Sequence, residues 1–399
     1  MHNEQKVTKS IYWIGSNDFI TPRFDNYIPL ERGISYNSYF IDDEKTCVLD
    51  AVDNTARDLF LGNIKELLHD RPLDYIIVNH MEPDHSGSIS LIKQYYPNIV
   101  IVGNKKTFDM VEGFYGVGGE RYVVGEGDFL ALGHHKLRFS LIPMVHWPET
   151  MVTYDETEGI LFSGDAFGCF GALNGGVIDA NINTDIYWDE MVRYYSNIVG
   201  KYGAPVQKAL QKLQTLKINA ICSTHGPVWT EEIPRVVRIY DRLSRYEAEE
   251  GVVIAYGTMY GNTAEMAEAI AEELSKQGIR NIVMHNVSHT NHSYIIADVF
   301  KHRGLIVGCP TYNTQMYPEM EALLNKLSAR EIKGRYMGWF GSFTWASAAV
   351  KKITEFNDKL KFEPVGNPIE MKHSMKSETY VQCKELAKAM ADRLKADRK

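Results

Sequence analysis

Cysteine is scarce in this sequence, and long apolar runs are missing from it. The five cysteines are odd in number, lie far apart and form no CxxC pair, which argues against a disulfide framework and against a cysteine-ligated iron site or cluster. No stretch reaches the roughly 18 apolar residues of a membrane span, and the first residues lack the apolar core of a signal peptide. We therefore expect a cytoplasmic protein that does not enter a membrane.

Positive charge and two common phosphate-binding motifs are also in short supply. Lysine and arginine total 43 against 51 acidic residues, for a formal net charge of -8 and a pI near 5.9. Proteins that bind nucleic acid carry a basic face, so the composition argues against nucleic acid as a partner. The sequence has no GxxxxGK and no GxGxxG, which argues against a triphosphate site and weakens the case for a dinucleotide site.

The length of the chain predicts more than one domain. A sequence of 399 residues with 44% hydrophobic residues predicts two globular domains. The pattern changes after residue 250, and we therefore predict one domain over residues 1–250 and another over residues 251–399. A helix over residues 232–250 is expected to link them. The polar and aromatic loop over residues 20–27 either lines an active site or is an ordinary surface loop.

One stretch of the first domain, residues 79–87, is rich in potential metal ligands. It follows the apolar run over residues 75–78, which reads as a buried strand. Four ligands fall within six positions: His80, Glu82, Asp84 and His85. If the backbone stays extended, the first three point the same way and the fourth can turn to the opposite side. Pro83 and Gly87 predict a shaped loop rather than a helix.

Three further apolar runs are each followed by one such ligand. These ligands are His146, Asp165 and His225. A single histidine or aspartate behind a strand is usually a turn residue or a satisfied polar group. Four strand ends in succession, each carrying an imidazole or a carboxylate, are expected to meet at one edge of a sheet sandwich. The pattern therefore predicts a metal site there.

The second domain opens with a strand, a hydroxyl-rich loop and a helix predicted over residues 264–277. The loop comprises Thr258, Met259, Tyr260, Gly261, Asn262 and Thr263. Its threonine and asparagine side chains offer hydrogen bonds, while the backbone N–H groups and the helix dipole favour a phosphate. A monophosphate fits best, and the alternative is a hydroxyl-capped helix that binds no ligand.

Two more loops follow predicted parallel strands of the second domain. The first comprises Pro310, Thr311, Tyr312, Asn313 and Thr314, and the second Gly341, Ser342, Phe343, Thr344 and Trp345. Parallel sheets bind ligands beyond the carboxyl ends of their strands, so these loops are expected to complete the pocket. Tyr312 and Trp345 are candidates to lie against a flat ring, although aromatic side chains also simply pack.

The order of the metal ligands, HxExDH and then His, Asp and His, resembles the metallo-β-lactamase fold, whose members hold two metal ions at the edge of an αββα sandwich. In the hydrolases of that fold the second position is histidine, whereas here it is Glu82. A carboxylate oxygen in place of an imidazole nitrogen makes the site harder and more anionic, which shifts its preference from zinc towards iron or manganese. On this scaffold the substitution is the mark of the flavodiiron proteins, or A-type flavoproteins.

The second half strengthens that resemblance, because its T-x-Y-G-N-T string is similar to the FMN-phosphate loop of flavodoxins. The resemblance covers the whole chain and implies an α/β protein: an N-terminal metallo-β-lactamase-like αββα sandwich followed by a flavodoxin-like doubly wound parallel sheet. Residues 344–348 depart from the glycine-rich third loop that the family often shows. The order of the domains resembles the two-domain form of the family, without a fused rubredoxin.

The family's metal ligands carry over onto this sequence position by position. The resemblance implies one iron held by His80, Glu82 and His146, another held by Asp84, His225 and, in some members, His85, and Asp165 between the two. No catalytic residue is expected beyond these ligands. The three loops of the second domain would bind FMN.

The resemblance also implies an activity and partners. Flavodiiron proteins reduce nitric oxide to N2O, O2 to water, or both, with FMN relaying electrons from rubredoxin or a similar carrier to the irons. They form head-to-tail homodimers, in which the flavin of one chain faces the irons of the other, and we expect such a dimer here, alone or within a tetramer. The sequence does not choose between the gases; the family's anaerobic habit and the lack of further electron-transfer domains favour nitric oxide slightly.

Three other functions stay open on the sequence alone. They are a metallo-β-lactamase-type hydrolase with an added flavodoxin, a flavin reductase whose sandwich is inert, and an electron carrier or oxygen sensor without turnover. An RNA-processing nuclease also exists on this sandwich, but the acidic charge and the predicted phosphate loop argue against it. Metal analysis, ligand mutation and O2 binding without turnover would separate the three.

Overall fold

In the computed structural model of the protein, residues 3–398 are described, and the chain divides into two compact units. The first unit contains the chain up to Tyr195 together with Tyr202–Ser244. The second contains Ser196–Lys201 together with the chain from Arg245 onwards. The chain therefore enters the second unit twice.

The first unit is built from short strands and seven regular helices within the described residues. Its strands are β1 (Gln5–Lys6), β2 (Ile11–Trp13), β3 (Ser16–Asp18), β4 (Arg23–Phe24), β5 (Ile28–Pro29), β6 (Ile34–Tyr36), β7 (Tyr39–Ile41), β8 (Cys47–Leu49), β9 (Tyr75–Ile77), β10 (Val100–Gly103), β11 (Arg121–Val123), β12 (Phe129–Ala131), β13 (Lys136–Leu141), β14 (Met151–Asp155), β15 (Ile160–Gly164) and β16 (Ala220–Ser223). Its helices are α1 (Arg57–Leu68), α2 (Pro83–Ser86), α3 (Ile89–Tyr95), α4 (Lys105–Tyr115), α5 (Asp185–Tyr194), α6 (Gly203–Leu213) and α7 (Ile233–Ser244).

Two sheets of the first unit pack face to face. The larger has the order β1-β2-β7-β8-β9-β10-β11 and the smaller the order β12-β13-β14-β15-β16. The rings of Tyr39 on β7 and Phe162 on β15 have centroids 5.4 Å apart, and the Tyr39 hydroxyl donates to the carbonyl of Ser223 at 2.8 Å. β8, β9 and β10 run parallel to one another, as do β15 and β16. The loops that follow the parallel strands of each sheet therefore leave that sheet at the same edge.

The second unit is a single main sheet with helices. Its strands are β17 (Glu249–Tyr256), β18 (Ile282–Asn286), β19 (His302–Pro310), β20 (Tyr336–Phe343), β21 (Glu363–Pro364) and β22 (Ile369–Lys372), and its helices are α8 (Asn262–Lys276), α9 (His292–Lys301), α10 (Pro318–Ala329), α11 (Ala349–Leu360) and α12 (Ser377–Ala396). The order is β18-β17-β19-β20, with β21 and β22 both beside β20, and all pairs are parallel. This order is that of a doubly wound flavodoxin-like sheet, so that prediction is confirmed.

The segment Ser196–Lys201 packs with the second unit although it lies far from it in the sequence. A Cβ atom on Gly200 would lie 2.6 Å from Cζ of Phe300, so the close approach requires glycine. Nε of Arg330 donates to the carbonyl of Ser196 at 3.2 Å, and the Tyr246 hydroxyl donates to the carbonyl of Gly200 at 3.2 Å. The segment is thus held by both apolar packing and hydrogen bonds.

The linking helix predicted over residues 232–250 is wrong beyond Ser244, where α7 ends. Tyr246 has a φ of 56°, a left-handed backbone that a right-handed helix cannot contain. Residues Glu249 and Glu250 already belong to β17, so the boundary predicted after residue 250 would cut this strand. The amphipathic pattern of α7 continues past the point where the backbone turns. The helix predicted from that pattern was therefore too long.

The elements of both units are dominated by buried apolar side chains. β14, β15 and β16 are buried along their whole length, and most of β19 and β20 is buried as well. Such continuous burial is typical of strands covered on both faces. Within the described residues, none of the helices combines the length and the apolarity that crossing a bilayer requires.

Candidate metal centre and ligand pocket

The ligand-rich stretch begins where β9 ends and is fixed there by a buried carboxylate. Asp50 accepts hydrogen bonds from the backbone N–H of Asn79 at 2.7 Å and of His80 at 3.3 Å. The side-chain amide of Asn79 also donates to Asp50 at 2.9 Å. These bonds set the direction of the backbone just before the first predicted ligand.

The prediction of a loop without helix is wrong for Pro83–Ser86, which form one turn of α-helix. Proline is well tolerated at the first position of a helix, because its missing N–H would have no partner there. The turn carries Asp84 away from His80 and Glu82. The extended arrangement that would point all three ligands the same way therefore holds only for the first two.

The first group of potential ligands brings together side chains from three loops. Its ligand atoms all lie within 4.8 Å of one another and come from His80, Glu82, His146 and Asp165. Oε2 of Glu82 lies 3.0 Å from Nε2 of His146 and 3.4 Å from Nε2 of His80. Oδ2 of Asp165 lies 3.1 Å and 3.4 Å from the same two nitrogens. Two carboxylates thus face two imidazoles across one point.

The second group consists of Asp84, His85 and His225. Oδ2 of Asp84 lies 3.3 Å from Nε2 of His85 and 3.2 Å from Nε2 of His225. The other oxygen of Asp165, Oδ1, lies 2.9 Å from Nε2 of His85. Asp165 therefore faces both groups, with one oxygen towards each. The structure brings together all seven predicted ligands, and His85 lies with the second group.

Several of these atoms are buried without a hydrogen-bond partner. Both carboxylate oxygens of Asp84, both ring nitrogens of His85 and Nε2 of His225 lack one. Leaving a buried polar atom unpaired costs about 1–3 kcal/mol, and buried polar atoms are rarely left so. Imidazole nitrogens and carboxylate oxygens that converge in this way suit divalent transition-metal ions. The residues present therefore fit a pair of cations.

The electrostatics of the site point the same way. Burial opposes the charged form of His146, yet the carboxylates of Asp165 and Glu82 raise its pKa to about 9. Burial likewise opposes a charged His85, but Asp84 and Asp165 raise its pKa to about 9. Against the opposing effect of burial, the imidazoles hold the pKa of Asp165 well below its usual range. The cluster as a whole attracts positive charge, which metal ions supply.

The imidazoles are oriented by groups that the sequence did not reveal. Nδ1 of His80 donates to Oε1 of Glu149 at 2.8 Å, and Nδ1 of His225 donates to the carbonyl of Ser35 at 2.7 Å. In each ring the Nε2 atom is then left to face the ligand cluster. Glu149 lies 69 positions from His80, and no spacing pattern in the sequence marks such a pair.

The loop over residues 20–27 lines this site. It contains β4 and the turn that leads from β4 into β5, and the ring of Phe24 lies 5.7 Å from the ring of His225. Tyr194 covers another side of His225, with ring centroids 5.5 Å apart, and Phe170 packs on Phe24 at 5.5 Å. Aromatic side chains thus surround the imidazole of His225 on two sides.

The three predicted loops of the second unit line one cavity. Its walls are formed by Thr258, Met259, Tyr260, Asn262, Thr263, Pro310, Thr311, Tyr312, Asn313, Thr314, Ser342, Phe343, Thr344, Trp345, Ala346 and His373. Gly261 and Gly341 were predicted as part of the pocket and are not among these residues. Ala346 continues the last predicted loop, whereas the sequence reasoning missed His373. His373 follows directly behind β22, so the rule that found the other loops would have found it too.

The first of these loops leads into α8 in the manner expected of an anion site. No side chain caps the N-terminus of α8, which begins after Gly261 at a φ of 95°. The predicted alternative of a hydroxyl-capped helix is therefore wrong. The hydroxyl of Thr258 instead accepts from the N–H of Gly261 at 3.1 Å, and that of Thr263 lies 2.8 Å from the hydroxyl of Ser342. The free N–H groups at the start of a helix favour a phosphate.

The aromatic side chains around the cavity are largely open to solvent. Trp345 is 86% exposed, Tyr260 is 85% exposed and Tyr312 is 40% exposed. Side chains that pack in a core are buried, so packing within this unit does not explain the three. All three line the cavity with aromatic surface, which suits an aromatic ring system.

Comparison with known families finds one match in each half of the chain. Residues 34–226 match the family described as "ODP family beta lactamase", and residues 254–386 match "Flavodoxin". The predicted fold class, a β-lactamase-like sandwich followed by a flavodoxin-like parallel sheet, is confirmed. Within the first match lie all seven potential metal ligands, and within the second lie all the predicted pocket loops.

Similar proteins cover the chain from one end to the other. A nitric oxide reductase of Moorella thermoacetica is 30% identical over 97% of this chain and 98% of its own length. The solved structure of rubredoxin oxygen:oxidoreductase from Desulfovibrio gigas has a TM-score of 0.95 at 26% identity and covers 99% of this chain and 100% of that one. The flavodiiron protein from Giardia intestinalis also has a TM-score of 0.95, at 28% identity, and covers 99% of this chain and 97% of that one.

Proposed function

Because this chain belongs to the flavodiiron proteins, we propose that it is a reductase that converts nitric oxide to N2O, O2 to water, or both, at a pair of irons. When bound, FMN would supply electron transfer from rubredoxin or a similar carrier, and a pair of irons would supply the reduction of the gas. The names of two similar proteins, a nitric oxide reductase and a rubredoxin oxygen:oxidoreductase, support both substrates. We place the protein in the cytoplasm, where its free, buried cysteines would stay reduced.

One observation carries this proposal: Asp165 presents one oxygen to each of two ligand groups. A single carboxylate between two clusters of imidazole and carboxylate is an arrangement that suits a pair of metal ions. His80, Glu82, His146 and Asp165 would hold one iron, and Asp84, His85, His225 and Asp165 would hold the other. Thr224 donates to Oδ1 of Asp165 at 2.7 Å and so fixes the shared carboxylate.

Glu82 gives the first group its preference for iron. An imidazole in the place of Glu82 would make the site softer. The Glu82 carboxylate instead adds a second full negative charge to that of Asp165. Oxygen ligands of this kind suit iron and manganese better than zinc. This supports a redox centre over a hydrolytic one, since zinc does not change its oxidation state.

The flavin would bind in the cavity of the second unit. The uncapped start of α8 would take its phosphate through backbone N–H groups. Tyr312 and Trp345 would lie along its ring, where both line the cavity. A single phosphate needs no lysine of the kind that P-loops use for a triphosphate, which is consistent with the missing GxxxxGK.

We further propose that two chains associate head to tail, so that the flavin of one serves the irons of the other; a tetramer would repeat this pair. Mixing tests it directly. Chains with His80→Asn, which lack the iron site, are exchanged with chains in which Asn262 and Thr263 are replaced, which lack FMN. Activity should appear on mixing. If subunits exchange and the mixed dimers stay inactive, electron transfer between chains is wrong.

The function itself is tested with purified protein loaded with iron and FMN under anaerobic conditions. With reduced rubredoxin as donor, the protein should consume nitric oxide and release N2O, or consume O2 without releasing peroxide. The comparison of both rates decides between the gases. A His225→Asn variant that keeps its FMN is the matched control and should be inactive.

Each competing function has its own signature in the same experiment. Zinc in place of iron, together with hydrolysis of esters or β-lactams, would identify a hydrolase. Undiminished flavin-dependent turnover in the His225→Asn variant would identify a flavin reductase with an inert sandwich. Tight O2 binding without turnover would identify a carrier or sensor. Any of these results contradicts the proposal.

A further inference from the structure

One loop of the first unit, residues 143–150, serves two imidazoles of the first ligand group. His146 is itself a potential ligand. Three residues later, the buried carboxylate of Glu149 accepts hydrogen bonds from Nδ1 of His80 at 2.8 Å and from the backbone N–H of Met81 at 2.9 Å. The loop therefore supplies one ligand and holds another.

We propose that Glu149 is the positioning residue of the first metal site and that it sets metal affinity there but not at the second site. The inference rests on the proposed function in one respect, that the chain binds two metal ions. Because a carboxylate only accepts, Nδ1 of His80 carries the proton and Nε2 presents its lone pair. That Nε2 atom lies 3.4 Å from Glu82 and 3.4 Å from Asp165, within the ligand group.

The carboxylate of Glu149 is itself held in place. The side-chain amide of Asn104 donates to the backbone carbonyl of Glu149. Asn104 also caps α4, accepting from the N–H groups of Lys106 and Thr107. The position of Glu149 is thus tied to the start of a helix. The rings of His80 and His146 lie 5.1 Å apart at an angle of 69°.

The second ligand group is oriented by other means. Nδ1 of His225 donates to a backbone carbonyl, that of Ser35, and Nδ1 of His85 is buried without a partner. Neither imidazole depends on Glu149. The two metal sites therefore differ in the hydrogen bonding of their histidines at Nδ1. A change at Glu149 should affect only the first site.

The test measures metal binding by the full-length chain, independently of turnover. Metal-free protein is titrated anaerobically with ferrous iron against a coloured chelator. The wild-type chain should bind two ions. In E149L the acceptor for His80 and Met81 is gone, and one of the two ions should bind about 10–100-fold more weakly, the range seen for outer partners of metal ligands, with the other ion unchanged. E149Q keeps an acceptor oxygen and should recover most of the loss.

A second carboxylate–imidazole pair in the same unit provides the control. Oδ2 of Asp155 accepts from Nδ1 of His135 at 2.9 Å, and both residues are buried and outside the ligand groups. D155L should destabilise the fold while leaving both iron affinities unchanged. A merely structural role of Glu149 predicts instead that E149L and D155L behave alike.

The outcomes are distinct. If wild-type protein binds two ions and E149L binds them with unchanged affinities, or loses both equally, the assignment of Glu149 is wrong while the diiron proposal stands. If the wild-type chain itself binds no pair, both fail. Should E149L not fold, E149D, which withdraws the carboxylate by one methylene, has to show the same selective weakening.

Discussion

The metal centre and the ligand pocket of this chain are built in opposite ways. The ligands of the metal centre are almost fully enclosed, and His80, His85 and His225 have no exposed surface. The pocket of the second unit is open, and its rim residues Tyr260 and Trp345 are more than four-fifths exposed. The first site depends on the chemistry of particular side chains. The second depends on its loops and on the backbone at a helix end, where many different side chains would serve. Substitutions should therefore be far more damaging in the first.

The largest effect is expected from Asp165→Asn. The change removes the charge that serves both ligand groups, while the amide keeps the shape of the side chain. We expect loss of both irons and a fall in gas reduction of more than about 100-fold, since even outer partners of metal ligands contribute 10–100-fold. Iron content and nitric oxide consumption measure this. FMN content should not change, and a variant that retains two irons would contradict the shared role of Asp165.

A large effect of a different kind is expected from Arg335→Met in the second unit. Arg335 is buried and donates to five backbone carbonyls, those of Tyr246, Val299, Phe300, Lys333 and Gly334. Removing the guanidinium leaves buried carbonyls unpaired, which should reduce the free energy of unfolding by about 3 kcal/mol. Denaturant unfolding followed by flavin fluorescence measures the loss. The iron content of the folded protein should stay at its wild-type value, and a loss of iron would break the comparison.

Acid should act on the second unit through His292. Burial and the positive charge of Lys326 lower the pKa of His292 to about 4, so the unfolded chain binds more protons than the folded one between about pH 6.5 and 4. The stability of the unit should be complete above that window and fall as the pH drops through it, by about 2 kcal/mol at pH 5. His292→Phe should flatten this dependence, as measured by unfolding at several pH values. An unchanged slope would contradict it.

The smallest effect is expected from Gly261→Ala at the start of α8. The φ of 95° disfavours any side chain, at a cost of about 1–2 kcal/mol, and FMN should bind about fivefold to tenfold more weakly. Fluorescence titration with FMN measures this. Gly278→Ala is the matched control, because Gly278 has a φ of 83° and equally open surroundings but follows the far end of α8. Weaker FMN binding in both variants would mean that the loop has no special role.

The sequence predicted the metal ligands well because their chemistry is written in residue type and in position behind a strand. Four imidazoles and three carboxylates are uncommon groups to find behind apolar runs. In the structure, all seven lie in the two ligand groups. The helical turn Pro83–Ser86 was missed because four residues carry no periodicity. That turn decides which group receives Asp84, so residue type and spacing predicted the ligands, whereas their grouping came from the resemblance to the family.

Other features were beyond the sequence because they depend on packing between distant residues. Glu149 meets His80 only because two loops of the sandwich leave it side by side, and nothing local in either loop encodes the contact. Ser196–Lys201 follows α5 in the sequence but is held by Phe300, Arg330 and Tyr246. The doubly wound sheet, by contrast, was expected from the resemblance to flavodoxins, and its strands β17, β19 and β20 have the local apolar patterns that supported it.

The allocation of Ser196–Lys201 to the second unit limits how this protein can be divided. If the gene were divided once, after Ser244, the first product would carry the segment but lack Phe300 and Arg330. The second product would contain Phe300 without Gly200 packed against it. Neither product would be a faithful copy of its parent unit. A recombination that exchanged the flavodoxin-like part for another would have to carry six residues from the middle of the first unit.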